Sequence, residues 1–300
     1  MGKNYISKIG LGTAQFGLDY GISNDMGKTP LRDVKAILNH AIDNGITTLD
    51  TAHLYGTSEE VLGKTLCTEH PFDIVTKIIP IKKEEITEQD IEVVKGGFEI
   101  SLKRLKKSCI YGLLLHHTDD LKSKNAKLLY EYILQLKTTG KVKKIGVSVY
   151  NNEQINYVLD HFSIDLIQIP MNVFDQRLLQ TGALKKLKAH NVEIHVRSPF
   201  LQGVVFMTPE NLPSNLQGLY PSLTRFHALV ESAKTTPVSA ALTFLMQQRE
   251  IDKVICGVNN PEHFNALIQN ISILPEIDSV LFSSLGVDDV HLINPSHWNN

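Results

Sequence analysis

The chain has 300 residues, 42% of them hydrophobic and 21% charged, with a formal net charge of −2. Such values are ordinary for a soluble globular protein, and this length buries a sizeable core without disulfide or metal staples. The near-neutral balance excludes an electrostatic case for nucleic acid or an anionic membrane, and no apolar run is long enough to span a bilayer.

The opening, MGKNYISKIGLGT, lacks the apolar stretch of a signal peptide, and Ile6 stands where an N-myristoylation motif wants Ser or Thr. The cysteines Cys67, Cys109 and Cys256 are odd in number and form no CxxC. They read as buried, reduced thiols, and a cytoplasmic location is expected.

Short β-rich runs alternate with longer amphipathic stretches. In chain order, strand Ile9–Thr13 precedes helix Leu31–Gly45, Thr47–Asp50 precedes Ser58–Leu66, and Phe72–Lys77 precedes Gln89–Lys107. Gly112–His116 then leads to Ala126–Gly140, Lys144–Ser148 to Asn152–Phe162, and Leu166–Ile169 to Gly182–His190. Val192–Arg197 leads to Val238–Arg249, and Lys253–Gly257 to Pro261–Gln269. Most strands are continuously apolar, as strands covered on both faces are. Helix ends are marked by Thr29-Pro30, Thr236-Pro237, Gly45 and Gly140. In the first helix Val34, Ile37, Leu38, Ala41 and Ile42 keep the spacing of one buried face.

Repeated βα units predict an α/β fold with a parallel sheet, and their number and the chain length favour a single-domain (β/α)8 TIM barrel over a doubly wound sheet. A Rossmann sheet wants GxGxxG after its first strand, whereas here Gly10-Leu11-Gly12 is followed by Gly17. Gly203, Pro209, Pro213, Gly218 and Pro221 punctuate a long lid-like connection from Phe200 to Ser222. From about Asp278 the tail reads as a partial helix followed by a polar end.

Barrel chemistry sits at the C-terminal ends of the strands. Those ends supply Asp50, Lys77, His116, Ser148, Gln168, Arg197 and Gly257, all but the glycine polar or charged after apolar runs. Asp50, Lys77, His116 and the nearby Tyr55 make a coherent set. A phenol is a poor proton donor at neutral pH, and a neighbouring ammonium makes its anion easier to form. A carboxylate keeps that ammonium charged, while a neutral imidazole orients a carbonyl oxygen. Such a site protonates an alkoxide as hydride arrives.

The stretch DTAHLYGTSEEVLG (Asp50–Gly63) closely resembles the aldo-keto reductase pattern of Asp-Thr-Ala, Tyr-Gly, Ser-Glu and Leu-Gly. IGLGTAQFG (Ile9–Gly17), IVTKI around Lys77, LLLHH around His116, GVS at Gly146–Ser148, Gln168 with Asn172, and RSPFLQG (Arg197–Gly203) follow the same family in order. The resemblance covers roughly residues 8 to 270 and implies metal-free, reversible hydride transfer between NADP(H) and an aldehyde or ketone. It implies Tyr55 as proton donor, Lys77 as the group lowering its pKa, Asp50 as the partner of Lys77, and His116 as the carbonyl-orienting group. His117 takes the adjacent variable position. Ser148 and Gln168 resemble residues that hold the nicotinamide carboxamide, and Ser198, Phe200, Leu201 and Gly203 lie where backbone approaches the pyrophosphate. Thr13, Asp50, Arg197, Gly257, Asn259 and His263 complete the expected cofactor contacts.

The departures concern the cofactor. Val149 replaces a common Asn, and Arg197 stands where many members stack a Tyr on nicotinamide. Gly257 and His263 replace basic residues that grip a 2′-phosphate, and Ala266-Leu267 replace a Glu-Asn that binds adenine. NADP(H) is therefore expected ahead of NAD(H) on family grounds alone. The opening is too short for the hairpin that plugs the barrel bottom in many members. Arg197 with His116-His117 favours a sugar-like or anionic small-molecule substrate.

Other readings stay open at this stage. The same departures suit a cofactor-sensing regulatory barrel that docks a protein partner, and Lys77 suits a Schiff-base enzyme. His53 reads as a loop histidine, and the basic run Lys103, Arg104, Lys106 and Lys107 as a solvated helix end. His195, Gln202, Phe206 and Met207 fit either packing or ligand contact, and Trp298 either caps the tail or dips into the substrate mouth. No heptad or broad apolar helix face argues against a monomer.

Overall fold

Strands that are apolar on both sides must be covered on both sides, and here they close into a ring. The computed structural model describes residues 5–22, 24, 26–67 and 69–298. The strands are β1 (Ile9–Gly12), β2 (Thr48–Asp50), β3 (Asp73–Ile78), β4 (Ile110–Leu115), β5 (Val142–Ser148), β6 (Leu166–Pro170), β7 (Glu193–Arg197) and β8 (Lys253–Gly257). Each pairs in parallel with its sequence neighbour, and β8 closes on β1 with Ile9 opposite Val254 and Gly12 opposite Gly257. The helices that follow them are α1 (Leu31–Asp43), α2 (Ser58–Thr65), α3 (Glu88–Leu105), α4 (Ala126–Thr138), α5 (Asn152–His161), α6 (Ala183–Ala189), α7 (Pro237–Met246) and α8 (Pro261–Ser272). This is the (β/α)8 barrel that the pattern predicts.

Side-chain caps set several helix starts. Thr87 and Asp90 form a reciprocal capping box on α3, and Asn151, Thr236 and Asn260 accept backbone N–H groups at α5, α7 and α8. In α1, Val34, Ile37, Leu38 and Ala41 are buried as their spacing requires, but Ile42 lies at the edge of that face and is exposed. Cys67 and Cys109 are also exposed, against expectation, because they lie in the surface connections after α2 and before β4; only Cys256 is buried.

The largest difference lies after β7. The long connection folds into short 3-10 turns and then a helix, Tyr220–Ser232, which the proline-rich composition conceals. Pro221 is tolerated there because it sits in the first turn. Leu223, Phe226, Leu229 and Val230 bury one face of that helix.

Alternation along each strand decides what the barrel holds inside. Val75, Leu114 and Leu166 form a small apolar cluster separate from the main core, with Tyr111 packed against it. Two residues further along these strands come Lys77, His116 and Gln168 at the C-terminal end. Towards the other end lies a polar cluster built on Glu193. This carboxylate accepts from Tyr111 Oη at 2.7 Å and His195 Nε2 at 2.6 Å, and pairs with Lys144. His195 is fully buried, which places it in the barrel packing. At the same end Lys8 Nζ donates to the Ile251 carbonyl and Lys253 Nζ to the Ser7 carbonyl, each at 2.7 Å.

Burial alone would push the Glu193 carboxyl up, but hydrogen bonds from His195, Lys144 and Tyr111 prevail and hold it down at about 2. A carboxyl depressed below its unfolded value stabilises the fold above that value and loses the contribution as pH falls through the folded one. Glu193→Gln is expected to destabilise the protein at pH 7 by about 3 kcal/mol, because Lys144 and His195 lose their partner. Its melting temperature should also fall less steeply than the wild type's between about pH 5 and pH 2. Thermal denaturation followed by circular dichroism across that range checks both.

Candidate active site

A cavity of about 440 Å³ opens at the C-terminal ends of the strands. Its floor begins with Asp50, at the end of β2 and almost fully buried. The Asp50 backbone carbonyl accepts from both the amide and the hydroxyl of Thr13, each at 2.9 Å. Beyond β2 the chain stays pinned to β3, since Thr51 N–H donates to the Val75 carbonyl at 2.8 Å and His53 N–H to the Lys77 carbonyl at 3.1 Å.

The segment then folds back to present Tyr55. Ser58 caps this turn by donating to the Thr13 carbonyl at 2.8 Å, and its Oγ lies 3.1 Å from Thr51 Oγ1. Glu59 accepts from Thr76 Oγ1 at 2.7 Å and faces Arg104 at 3.6 Å, tying the turn to β3 and α3. Gly17 lies directly against it: a Cβ there would overlap the Tyr55 carbonyl oxygen. Much of the Asp50–Gly63 motif is therefore scaffold that fixes where the phenol stands.

Five side chains meet at the floor. Lys77 Nζ donates to Asp50 Oδ1 at 2.7 Å and to the Thr51 carbonyl at 2.9 Å, and lies 3.4 Å from Tyr55 Oη. The other Asp50 oxygen accepts from Gln168 Nε2 at 2.7 Å, which leaves Gln168 Oε1 buried without a partner. The His116 ring stands edge-on to Tyr55, with centroids 5.9 Å apart. His116 Nδ1 is buried and unpartnered, so Nε2 is the nitrogen able to reach a ligand.

Electrostatics fixes the protonation states. Burial, with the charges of Lys77 and Arg197, lowers His116 to about 3, so the imidazole is neutral at physiological pH. Burial and the Asp50 carboxylate push the Tyr55 phenol up, with Arg197 pulling the other way. The expected lowering by Lys77 does not prevail, because burial of the phenol is the largest influence and the Asp50 carboxylate adds to it. Burial also pushes Lys77 below its ordinary value, against the pull of Asp50. The phenol is thus a neutral O–H held beside a compensated ammonium.

The structure gathers most of the expected cofactor residues on the same cavity: Thr13, Asp50, Ser148, Gln168, Arg197, Ser198, Phe200, Gly203, Gly257, Asn259 and His263 all line it. Leu201 does not; its side chain is fully buried in the core. The turn after β7 holds Ser198, Leu201 and Gln202 at φ of 58°, 45° and 52°, and Gly203 at 100°. Non-glycine residues reach that region only under constraint. Asn172 supports the turn, donating to the Ser198 carbonyl at 3.2 Å.

Several expectations separate here. His117 turns aside to pair with Asp120 at 3.0 Å, and His53 Nδ1 lies 3.0 Å from Ser101 Oγ. Trp298 caps the tail, its indole donating to the His291 carbonyl at 3.0 Å, and lies off the cavity wall. Gln202 and Phe206 do line the cavity, whereas Met207 packs against the core. Sequence reasoning did not place Tyr20, Asn24, Tyr150 or the tail residues Asn294 and Ser296 on the wall. The tail has no periodic signal that would bring it there.

Comparisons with known proteins give the family. The Aldo/keto reductase family profile matches residues 8–280. Aldo-keto reductase YhdN of Bacillus subtilis (strain 168) is 30% identical over 289 residues, covering 87% of this chain and 84% of that protein. Aldo-keto reductase yakc [NADP(+)] of Schizosaccharomyces pombe is 22% identical over 303 residues, covering 91% and 87%. The holo form of aldo-keto reductase AKR11C1 from Bacillus halodurans shares the fold, with a TM-score of 0.75, 20% identity, and coverage of 97% of this chain and 94% of that one. The chain belongs to the aldo/keto reductase family of oxidoreductases.

Two expectations test the site. With His116 lowered to about 3, its long-range ¹⁵N–¹H spectrum should keep the neutral pattern down to pH 5, with no transition near 6.5. Gly17→Ala should displace the Tyr55 turn and lower kcat between about 10- and 100-fold, while far-UV circular dichroism stays unchanged.

Proposed function

We propose that the protein is an NADP(H)-dependent reductase of aldehydes or ketones, of the alcohol dehydrogenase type, acting at the Asp50–Tyr55–Lys77–His116 site. The observation that carries this reading is the convergence of Lys77 on Asp50 at 2.7 Å and on Tyr55 Oη at 3.4 Å on the floor of one cavity. When bound, the nicotinamide supplies a hydride to the carbonyl carbon and passes from a neutral to a singly positive ring.

Tyr55 Oη delivers its proton to the carbonyl oxygen, so the alcohol leaves neutral. A phenol raised by burial holds that proton until negative charge develops on the substrate oxygen. At that moment Lys77 stabilises the phenolate left behind. Asp50 keeps Lys77 charged and aimed, and neutral His116 directs the carbonyl oxygen towards Tyr55. Gln168 Oε1, buried without a partner, suits the amide N–H of a carboxamide, and Ser148 lies on the same wall. The strained turn at Ser198–Gly203 brings Ser198, Phe200 and Gly203 to the cavity wall, where a pyrophosphate would lie against the chain. The residues present fit a nicotinamide dinucleotide. Lys77, 1% exposed and hydrogen-bonded to Asp50 and Thr51, is poorly suited to Schiff-base chemistry.

NADP(H) is favoured by the family and by the printed name of the Schizosaccharomyces pombe relative. Among the described residues, Lys77 and Arg197 are the only Lys or Arg that line the cavity with Asn259 and His263, so the preference for NADPH over NADH should stay below about tenfold. Tyr20, Tyr150, Arg197, Asn294 and Ser296 give the mouth a polar wall suited to a sugar-like or anionic carbonyl compound.

Titration with NADPH and NADH, then a carbonyl panel followed at the nicotinamide absorbance, tests the reading. Tyr55→Phe and Lys77→Met should each lower kcat by about 10³-fold or more while cofactor binding persists. Intact turnover in Tyr55→Phe, or no binding of either cofactor, sinks the assignment.

A further inference from the structure

Arg197 ends β7 and lines the same cavity as Tyr55, Lys77 and His116. Its guanidinium carbon lies 4.4 Å from the centre of the Tyr150 ring, and Nη2 donates to the Val149 carbonyl at 3.1 Å. Both contacts fix the plane of the group, and neither neutralises it. Among the described residues, the arginines in ion pairs are Arg32, Arg104 and Arg177. Lys77 meets Asp50, but Arg197 meets no carboxylate. A permanent charge thus enters the reaction chamber uncompensated. Its reach is evident at four neighbours, since it disfavours positive charge on Lys77 and His116 and favours negative charge on Tyr55 and Tyr20.

Hydride transfer, with the proton transfer that accompanies it, changes two formal charges inside this chamber: the nicotinamide ring gains a positive charge, and Tyr55 is left as a phenolate that must regain a proton. The C–H bond of the dihydronicotinamide breaks with its electron pair, a C–H bond forms at the carbonyl carbon, and the carbonyl oxygen takes the Tyr55 proton. The ring thereby becomes a cation. Resting on the function proposed above, we infer that Arg197 makes the site select the reduced cofactor over the oxidised one. The enzyme loads with the neutral-ring form even when both are present, and the positive-ring form leaves readily after turnover. Neighbouring like charges in a partly dry cavity repel far more than in bulk water.

Equilibrium binding tests this without turnover. Dissociation constants for NADPH, from its fluorescence, and for NADP⁺, by displacement, are measured at low and high salt for the wild type, Arg197→Met and Arg197→Lys. The wild type should bind NADPH about tenfold or more tightly than NADP⁺ at low salt, and less selectively at high salt. Arg197→Met should bring the ratio close to one by gaining NADP⁺ affinity, and Arg197→Lys should keep most of the preference. If the Met variant does not fold, Arg197→Gln carries the same comparison. Equal losses for both cofactors would mean that Arg197 grips a phosphate, and overturn the inference. An unchanged ratio, including one accompanied by loss of affinity only for anionic substrates, overturns it too. A wild type that binds neither cofactor defeats the proposed function itself, which separates the two failures.

Discussion

An ammonium sealed inside a barrel is tolerable only when a carboxylate meets it, and the contact of Lys77 with Asp50 at 2.7 Å provides that. Other features of the site depend on this pair. Asp50 spends its second oxygen on Gln168, which fixes that amide and leaves its carbonyl end unpaired. Lys77 spends a second hydrogen on the Thr51 carbonyl, so the chain leaving β2 is held where Tyr55 must turn. A buried pair of this kind contributes little net stability, because desolvation consumes most of its Coulomb energy. Its physical role is arrangement: one ammonium sets the positions of a carboxylate, a phenol and a loop.

The barrel was legible because its signal is spread along the chain. Continuous apolar runs ending in Asp50, Lys77, His116 and Ser148 announce both the strands and the end of the ring that carries polar groups. Strand boundaries shifted by a residue or two, as with β4, which starts at Ile110 and ends before His116. Two parts were hidden. The helix Tyr220–Ser232 sits behind prolines that usually mark loops, and its Leu223, Phe226 and Leu229 stripe is short. The wall contributed by Asn294 and Ser296 depends on long-range folding of the tail, which no local pattern encodes. The Tyr55 environment was only half legible. Sequence brings Lys77 near the phenol, but burial and the Asp50 charge decide the net effect, and both are properties of the assembled site.

One rule of alternation organises both ends of the barrel interior. The two-residue step that lifts Gln168 above Leu166 also lifts Arg197 above His195, and His195 above Glu193. β7 thus runs a polar column down the inside of the ring. Its lowest member, Glu193, is met by Tyr111, Lys144 and His195, whereas its uppermost member meets no carboxylate. The fold balances its charges where only stability is at stake and leaves one open where a ligand would enter.

The tail has a practical consequence. Asn294, Pro295 and Ser296 form part of the cavity wall, held by Trp298 anchored on His291, whereas the chain enters the ring at Ile9 from the opposite side. A label attached at Trp298 would sit close to that wall. A label on Ser7 or Lys8, at the other end of β1, would sit away from the chemistry, which makes that face the sound choice for immobilisation.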